Sequence, residues 1–397
     1  MNTPRRSLLL GLGGAMVAGR SRLALAQGPA GDRRLVVVLL RGALDGLAAV
    51  APYGDADFAA LRGRHAPPEP GQEGGTLDLG GFFGLHPALP KLHALYRADQ
   101  AMVLHAIAGP WRSRSHFEAQ DFLECGATQR LSDGWLNRAL ATLPPEPPGA
   151  ARRGLALGID VPLLLRGPAR VGSFASRNRT RLNTPLLAAL ARLHRTDPQL
   201  GPAFAEGLRA RGFSAAVLAG QEPPPPGTGS FASLAGSAGR LLADPRGPRV
   251  AALELGGWDT HATQAPRLIG ELRALDEGLD ALRLGLGEAW SQTAVLVMTE
   301  FGRTARINGT QGTDHGTAGV AFLLGGAVRG GRVLADWPGV APGRLFENRD
   351  LAPTLDLRRV VKGLLAEHLG LNAAALLRAF PNSRDADPLP GLLTEPA

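Results

Sequence analysis

The feature that most constrains the fold is a series of apolar runs separated by longer helical or irregular segments. These runs cover residues 35–40, 101–107, 249–255, 293–298 and 320–324. Short apolar runs with β-branched residues are typical of strands that are buried on both faces of a sheet. Strands that alternate with helices pair mainly in parallel. The sequence therefore predicts an α/β core with a mostly parallel central sheet.

Chemically capable side chains are concentrated in four loops that follow these runs or bridge two of them. The candidates are Asp45; Arg112, Arg114, Ser115 and His116; Asp259 and His261; and Glu300, Arg303, Asp314 and His315. Open α/β sheets bind ligands outside the carboxyl ends of their strands. We therefore expect these side chains to meet at one edge of the sheet. The alternative is a set of polar surface loops held by caps and salt bridges, and Asp45 alone fits an ordinary Asp-Gly turn.

Carboxylates and imidazoles without thiolates predict a site for Zn, Mn, Mg or Fe, with Ca less suitable because of the histidines. The candidate ligands are Asp45, Asp259, His261, Glu300, Asp314 and His315. They are numerous enough for one or two divalent metals, which would hold a phosphoryl-type oxygen and activate a nucleophile.

The loop after residues 101–107 supplies the other catalytic candidates. Ser115 and Glu118 fit the S-x-x-E capping box that begins a helix. A helix N-terminus also favours an anion or an activated nucleophile, so Ser115 and His116 are candidate catalytic residues. Arg303 is a third, and Arg112, Arg114 or Arg303 could bind anionic oxygens through their guanidinium groups.

Charge and cysteine content exclude several functions. The net charge is +8, but Arg5, Arg6, Arg20 and Arg22 lie in the first 26 residues, which hold no acids, so that 8 − 4 leaves +4 for the remainder. No basic run is interleaved with aromatic residues, which argues against nucleic-acid binding. Cys125 is the single cysteine, so neither an intrachain disulfide nor a cysteine-based metal site is expected. The partners that remain are a small anionic ester or a protein.

Residues 1–26 predict an export signal. Arg5 and Arg6 precede a short apolar run, and an Ala24-x-Ala26 end favours cleavage near Ala26. Adjacent arginines followed by Ser and Leu indicate the twin-arginine route, with an ordinary secretory signal as the alternative. The apolar run is too short to span a bilayer. We expect a periplasmic or extracellular protein without a transmembrane segment once the signal is removed.

The rest of the chain, residues 27–397, predicts one α/β domain with a helical insertion around residues 180–245. A proline-rich linker at 221–230 lies within that insertion, and a separate subdomain is the alternative. Near the C-terminus, Asp350 is expected to cap a helix over residues 351–369.

Several motifs, in this order, resemble one exported family: LVVVLLRGALDGL, RSHFEAQD, DGWLNRAL, LGGWDTH, VLVMTEFGRTARINGTQGTDHG, FLLGGAVRGGRV and DWPG. That family is domain of unknown function 1501, which is placed by distant similarity in the alkaline phosphatase and sulfatase superfamily. The resemblance implies an alkaline phosphatase-like three-layer α/β/α sandwich with a metal-dependent hydrolase site at the strand ends.

The resemblance also implies roles for particular residues. Asp45 is similar to the first metal-binding Asp of the superfamily, and Asp259 and His261 are similar to its later ligands. Asp314-His315-Gly316 resembles its Asp-His-Gly element. Glu300 stands at a strand end where an Asp-His pair is usual, and Ser115 matches the nucleophile by position. The Cys-x-Pro-x-Arg motif is absent, which disfavours a formylglycine sulfatase.

Three functions remain open at this point. The first is a metal-dependent hydrolase of phosphate or sulfate esters. The second is a non-catalytic protein of the same fold that binds a partner protein or a cell-surface polymer. The third is an oxidoreductase accessory that uses iron or copper, which fits twin-arginine export but has no motif of its own.

Overall fold

The computed structural model describes residues 32–144, 152–158, 160–175, 184–198, 200–219 and 230–394. The predicted export signal lies outside these residues. Across the described part of the chain, no helix combines the length and the apolar character needed to cross a membrane.

The strands of the described residues are numbered in chain order. They are β1 (Arg34–Leu40), β2 (Val50–Ala51), β3 (Leu77–Asp78), β4 (Gly84–Leu85), β5 (Ala101–Ala108), β6 (Gly154–Leu157), β7 (Val171–Phe174), β8 (Val250–Leu255), β9 (Thr293–Thr299), β10 (Gly319–Leu324), β11 (Arg332–Leu334) and β12 (Leu355–Asp356).

The α-helices of the same residues are α1 (Gly46–Ala49), α2 (Phe58–Arg62), α3 (Pro90–Arg97), α4 (His116–Cys125), α5 (Trp135–Ala141), α6 (Thr184–His194), α7 (Leu200–Val217), α8 (Ser230–Ala243), α9 (Gln264–Leu286), α10 (Leu357–Leu369) and α11 (Ala373–Ala379). Short 3₁₀ segments lie at Gly63–His65, Leu163–Leu165 and Gly287–Gln292.

Nine strands form the central sheet in the order β11-β5-β10-β9-β1-β8-β6-β7, with β12 also paired to β5. Strand β10 is antiparallel to both of its neighbours, and the other pairings are parallel. Leu40 at the end of β1 is in register with Leu255 of β8 and Thr299 of β9. The loops after these three strands therefore begin side by side, as the sequence predicts. A second sheet has the order β2-β4-β3.

Strand β1 shows why the sheet requires a helical layer on each face. All seven of its residues are buried. Val36 and Val38 pack in the core that α3, α8 and α9 cover, whereas Leu35 and Val37 pack in the core that α5, α10 and α11 cover. Because successive strand residues point to opposite faces, both faces need a hydrophobic partner. The predicted three-layer α/β/α sandwich is confirmed.

The region of the predicted insertion is helical where it is described. Helix α7 has no buried residue among those described, whereas α8 buries Phe231, Ala235 and Leu242 in the same core as α9. Helix α8 is thus part of a layer of the sandwich. The division into one domain with an insertion stays a prediction.

The predicted helix over residues 351–369 is wrong at its start. Helix α10 begins at Leu357, and its cap is Asp356, which accepts a hydrogen bond from the Arg358 N–H. The difference arises because Leu355–Asp356 form β12 and pair with β5, and Pro353 also disfavours the helical conformation of Ala352. Asp350 is instead a fully buried acid that contacts the loop carrying Arg114.

Candidate metal centre

The loops at the carboxyl ends of β1 and β8 approach each other closely. Gly42 follows β1 with a φ of +117°, and a Cβ at this position would lie 2.6 Å from the backbone nitrogen of Asp259. A glycine is required here for both reasons. The close approach brings the loop after β8 against the loop after β1, beside the end of β9.

Four side chains from three of the predicted loops converge on one point. The Oδ1 atom of Asp259 lies 3.1 Å from Nε2 of His261, 3.3 Å from Nε2 of His315 and 3.4 Å from Nε2 of His116. The Nε2 atoms of His261 and His315 are 2.9 Å apart. His116 is the first residue of α4, the Asp259–His261 pair follows β8, and His315 precedes β10.

The other ring nitrogen of each histidine faces an acceptor. The Nδ1 atom of His116 lies 2.8 Å from Oε1 of Glu300, that of His261 lies 3.0 Å from Oδ1 of Asp314, and that of His315 lies 2.7 Å from the Arg114 carbonyl oxygen. Ionised carboxylates and carbonyls only accept, so a proton on Nδ1 of each ring satisfies these contacts and leaves Nε2 available to a cation.

In that tautomer, three Nε2 atoms that lie within 3.4 Å of the Asp259 Oδ1 atom each offer a lone pair to a cation. The Nε2 atom of His116 is buried and has no hydrogen-bond partner among the described residues. A cation at this point would satisfy all four atoms, and histidines oriented through Nδ1 by carboxylate or carbonyl acceptors are usual at metal sites. Ligand atoms of His116, Asp259 and His315 all lie within 4.8 Å of one another. The side chains of Asp259 and His261 are 46% and 44% exposed, so the cluster is open to solvent on their side.

Glu300 lies behind His116 and outside the cluster. Its Oε1 atom accepts hydrogen bonds from the Gly42 N–H and the Gln120 side chain, each at 2.9 Å, in addition to the His116 ring. Its Oε2 atom accepts one from the Thr299 hydroxyl at 2.7 Å. Burial raises the pKa of Glu300, but these hydrogen bonds outweigh burial and bring the pKa to about 2.

The environment shifts the pKa values of three residues of the cluster in different directions. The hydrogen bond that His116 donates to Glu300 raises the pKa of His116. Burial lowers the pKa of His315. For Asp259, burial raises the pKa, but the hydrogen bond and the charge of Arg303 outweigh it, and the net pKa is lowered. The hydrogen bond from His261 likewise lowers the pKa of Asp314, whose side chain is half exposed.

Asp45 does not join the cluster. Its two oxygens accept hydrogen bonds from Arg62 at 2.7 and 2.9 Å, and Oδ2 accepts another from Gln264 at 2.7 Å. Its Oδ1 atom also caps α1 by accepting from the N–H groups of Leu47 and Ala48. The carboxylate is 1% exposed, and the charge of Arg62 is the main influence that lowers its pKa against the effect of burial.

Arg303 contacts the cluster directly. Its side chain has no exposed area, and Nη1 donates to Oδ1 of Asp259 at 2.9 Å. The Nε and Nη2 atoms are buried and have no partner among the described residues. This guanidinium therefore keeps donors that can bind an anionic oxygen.

The other two candidate anion-binding arginines, Arg112 and Arg114, already donate hydrogen bonds within the protein. Arg114 donates to Asp350 and Glu347, whereas Arg112 donates to the carbonyl oxygens of Gly109 and Trp111. Ser115 is the N-cap residue of α4, but its side chain makes no capping hydrogen bond, so the predicted capping box is wrong in that contact. The hydroxyl of this exposed serine is not used by the helix.

Several residues around the cluster carry no signal in the sequence. Arg62, Gln120 and Gln264 contact predicted site residues, and nothing in their local pattern separates them from ordinary helix residues. Thr260 and Thr313 are the two for which a signal exists. Each lies next to a candidate ligand in a strand-end loop, and each is fully buried.

The profile of the family described as "Protein of unknown function (DUF1501)" matches residues 104–380, more than half of the chain. The chain belongs to this family. The match confirms the resemblance that the motifs indicate. The matched residues include all the predicted site residues of this chain except Asp45. None of the curated proteins matches the chain.

Solved structures similar to the DUF1501 protein include Ps i-CgsB in complex with k-i-k-neocarrahexaose, at 12% identity and a TM-score of 0.40 over 90% of this chain and 77% of that one. A protein in the alkaline phosphatase superfamily from Vibrio parahaemolyticus has 12% identity and a TM-score of 0.34, over 85% and 66%. Phosphonate monoester hydrolase of Agrobacterium radiobacter has 13% identity and a TM-score of 0.33, over 86% and 74%. Likenesses this low assign no activity.

Proposed function

We propose that the DUF1501 protein is a metal-dependent hydrolase of phosphate or sulfate esters. The observation that carries the proposal is the convergence of three imidazole Nε2 atoms on Oδ1 of Asp259, at 3.1, 3.3 and 3.4 Å. When bound, a divalent metal supplies Lewis-acid polarisation of an ester oxygen and lowers the pKa of water.

His116, Asp259, His261 and His315 would hold the metal. Glu300, Asp314 and the Arg114 carbonyl would then orient the three rings from the outside. Three nitrogen donors and one carboxylate suit Zn, Mn or Fe better than Mg or Ca, which prefer oxygen ligands. Among the described residues, one group has its histidine and carboxylate ligand atoms within 4.8 Å of one another, namely His116, Asp259 and His315. His261 adjoins this group through Asp259 and His315. We therefore expect one metal per chain.

Arg303 would bind the anionic part of the substrate beside the metal. Its Nη1 atom is held by Asp259, while Nε and Nη2 are buried and unpaired. Leaving such donors unsatisfied in a buried site costs about 1–3 kcal/mol each. An anionic oxygen would remove that cost, and hydrogen bonds between a guanidinium and an oxyanion are among the strongest in proteins.

Ser115 is the candidate nucleophile. It directly precedes the proposed ligand His116, and its hydroxyl is exposed and free of the helix cap. The N-terminus of α4 would stabilise negative charge that develops on this oxygen.

The test is an ester panel with metal-loaded protein. Aryl phosphate monoesters, phosphate diesters and sulfate esters are assayed with Zn²⁺, Mn²⁺ and Fe²⁺, using the wild type, His315→Ala, Ser115→Ala and His93→Ala. His93 is a matched control, since it contacts the Asp78 carbonyl away from the cluster. We expect turnover by the wild type and the control, and a loss of at least 100-fold in His315→Ala. Metal-loaded wild type that hydrolyses none of these esters would refute the proposal.

A binding protein without turnover is the second candidate. The observation that favours it concerns the hydrogen bonds of Ser115. The backbone N–H of Ser115 donates to the Ser113 hydroxyl, and the Ser115 hydroxyl makes no capping bond. A nucleophilic serine needs a base to activate it. Unchanged turnover in Ser115→Ala would remove Ser115 from the mechanism, whereas bound metal without any turnover would favour this second candidate.

Export is also a proposal. Adjacent Arg5 and Arg6 and the end at Ala26 support twin-arginine export with cleavage near residue 26. Replacing both arginines by lysine should retain the protein inside the cell, as measured by fractionation and N-terminal sequencing. Unchanged export of that variant would indicate the ordinary secretory route.

A further inference from the structure

One buried side chain contacts both of the loops that carry the proposed ligands after β8 and before β10. Gln264, in the first turn of α9, is 5% exposed. Its Oε1 atom accepts a hydrogen bond from the Thr260 hydroxyl at 2.8 Å and another from the Thr313 hydroxyl at 2.6 Å. Thr260 lies between the two ligands of the first loop, and Thr313 lies two residues before the ligand of the second.

The other end of the same amide is fixed to a buried ion pair. The Nε2 atom of Gln264 donates to Oδ2 of Asp45 at 2.7 Å, and Arg62 holds both oxygens of that carboxylate. A carboxylate can only accept, so the amide must turn its NH₂ group toward Asp45 and its oxygen toward the threonines. The orientation of Gln264 is thus determined by its partners.

We propose that Gln264 is a positioning residue that sets the distance between the two ligand loops and thereby the metal affinity. This inference rests on the proposed metal centre. None of the side-chain hydrogen bonds of Gln264 goes to a proposed ligand, so it acts through Thr260 and Thr313. The same network gives Asp45 a role as the anchor of the amide.

The expected loss of metal affinity depends on the other contacts that join the two ligand loops. Backbone hydrogen bonds from Thr313 to Thr260, at 3.2 Å, and from Gln264 to Gln311, at 2.9 Å, remain when the side chains change. The loops therefore stay together, but they lose the two side-chain hydrogen bonds through which Gln264 joins them. Changes to groups that orient metal ligands cost about 10- to 100-fold in affinity. We expect the lower end of that range.

Matched threonine variants test the proposal. Thr260→Val with Thr313→Val keeps the side-chain shape and removes both hydroxyls, whereas Thr260→Ser with Thr313→Ser keeps both hydroxyls. Zn²⁺ affinity of the metal-free mature protein is measured by competition with a chromophoric chelator. We expect the valine pair to bind Zn²⁺ about 10-fold more weakly and the serine pair to bind within about threefold of the wild type.

Two further variants separate positioning from stability. Gln264→Leu should weaken Zn²⁺ binding as the valine pair does and should alter the visible spectrum of bound Co²⁺. Asn137→Leu is the control, because Asn137 is a fully buried amide that hydrogen-bonds Leu165 and Ala169 instead of the ligand loops. It should lower the denaturation midpoint without changing Zn²⁺ affinity.

The outcomes distinguish this inference from the proposed function. Wild-type affinity in both Gln264→Leu and the valine pair would overturn the positioning role and leave the metal centre standing. Equal weakening in the serine and valine pairs would also overturn it, because packing would then be the cause. A wild-type protein that binds none of Zn²⁺, Mn²⁺ and Fe²⁺ would overturn the proposed function together with the inference. If the valine pair does not fold, Thr313→Val against Thr313→Ser gives the same comparison.

Discussion

The Glu300→Gln variant tests whether Glu300 orients the proposed ligand His116 or is itself a metal ligand. Glu300 is 2% exposed and has a pKa of about 2 instead of the ordinary 4.5. The folded state therefore prefers the charged form by about 3 kcal/mol, since one pKa unit corresponds to about 1.4 kcal/mol. The glutamine has the same shape but no charge, so we expect the variant to lose on the order of 3 kcal/mol of unfolding free energy near pH 7.

The lowered pKa of Glu300 also determines how its contribution to the unfolding free energy changes with pH. A lowered pKa in the folded state means that the charge of Glu300 stabilises the protein above pH 4.5. This stabilisation is lost as the pH falls through 2. The difference between wild type and Glu300→Gln should therefore shrink to about 1 kcal/mol near pH 3.

The assay is urea unfolding of the metal-free protein, followed by circular dichroism at pH 7 and pH 3. Glu118→Gln is the control, because Glu118 is an exposed acid in α4, the helix that carries His116 and Gln120, and we expect it to change the unfolding free energy by less than about 0.5 kcal/mol. Equal stability of wild type and Glu300→Gln at pH 7 would refute the reasoning. In metal titrations the variant should still bind one metal with about 10- to 100-fold lower affinity. Loss of the metal would instead make Glu300 a ligand.

Three more predictions concern the charges around the cluster. Arg303→Met should lower kcat/KM for an anionic ester about 100-fold at unchanged metal content, because a hydrogen bond to a charged group contributes about 1.5–3 kcal/mol. Steady-state kinetics checks this with Arg283→Met as the control, since Arg283 pairs with Asp280, and unchanged kcat/KM would contradict it. Asp45→Asn should cost about 3–5 kcal/mol in chemical denaturation, since it leaves Arg62 charged and buried without its partner. Because Asp45 reaches the ligand loops only through Gln264, metal content measured by mass spectrometry at saturating metal should not change, and loss of the metal there would restore the predicted ligand role of Asp45. Glu300 raises the pKa of His116, so metal affinity should fall as the pH drops through that raised pKa. Calorimetry in two buffers should show proton release on metal binding. A metal affinity that is flat between pH 5 and 8 would exclude His116 as a ligand.

The sheet could be predicted because its signal is local. Strands β1 and β9 are continuous apolar runs, and a strand buried on both faces requires such a run. Their parallel pairing follows from the helices between strands. The start of α10 could not be predicted in the same way, because Asp350 fits a helix cap by composition, whereas Leu355–Asp356 pair with the distant strand β5 and the helix begins at Leu357.

The sequence predicts which loops form the candidate site, but it does not predict the contacts between their side chains. The sequence places His116 and Asp259 in different strand-end loops, but their contact depends on how α4 docks against the loop after β8. His116 was predicted as catalytic, and the structure places its Nε2 atom 3.4 Å from the proposed ligand oxygen of Asp259. Glu300 and Asp314 were predicted as ligands and lie on the outer side of His116 and His261. Which residue faces the centre is decided by side-chain direction, which spacing does not encode.

The buried ion pair of Asp45 and Arg62 shows the same limit more strongly. An acid followed by glycine after a strand predicts either a turn or a ligand, and both readings use local information. Arg62 is 17 positions away on a short helix, and its two hydrogen bonds occupy both carboxylate oxygens. Such a pairing comes from tertiary packing alone.

The most direct test of the account is the metal content of the mature protein. The purified protein is analysed by inductively coupled plasma mass spectrometry, before and after incubation with Zn²⁺, Mn²⁺ or Fe²⁺ and removal of free ions. The account predicts one metal per chain in the wild type and in His93→Ala, and less than about one tenth of that in His261→Ala with His315→Ala. A folded wild type that retains none of the three metals, or a double variant that retains as much as the wild type, would contradict it.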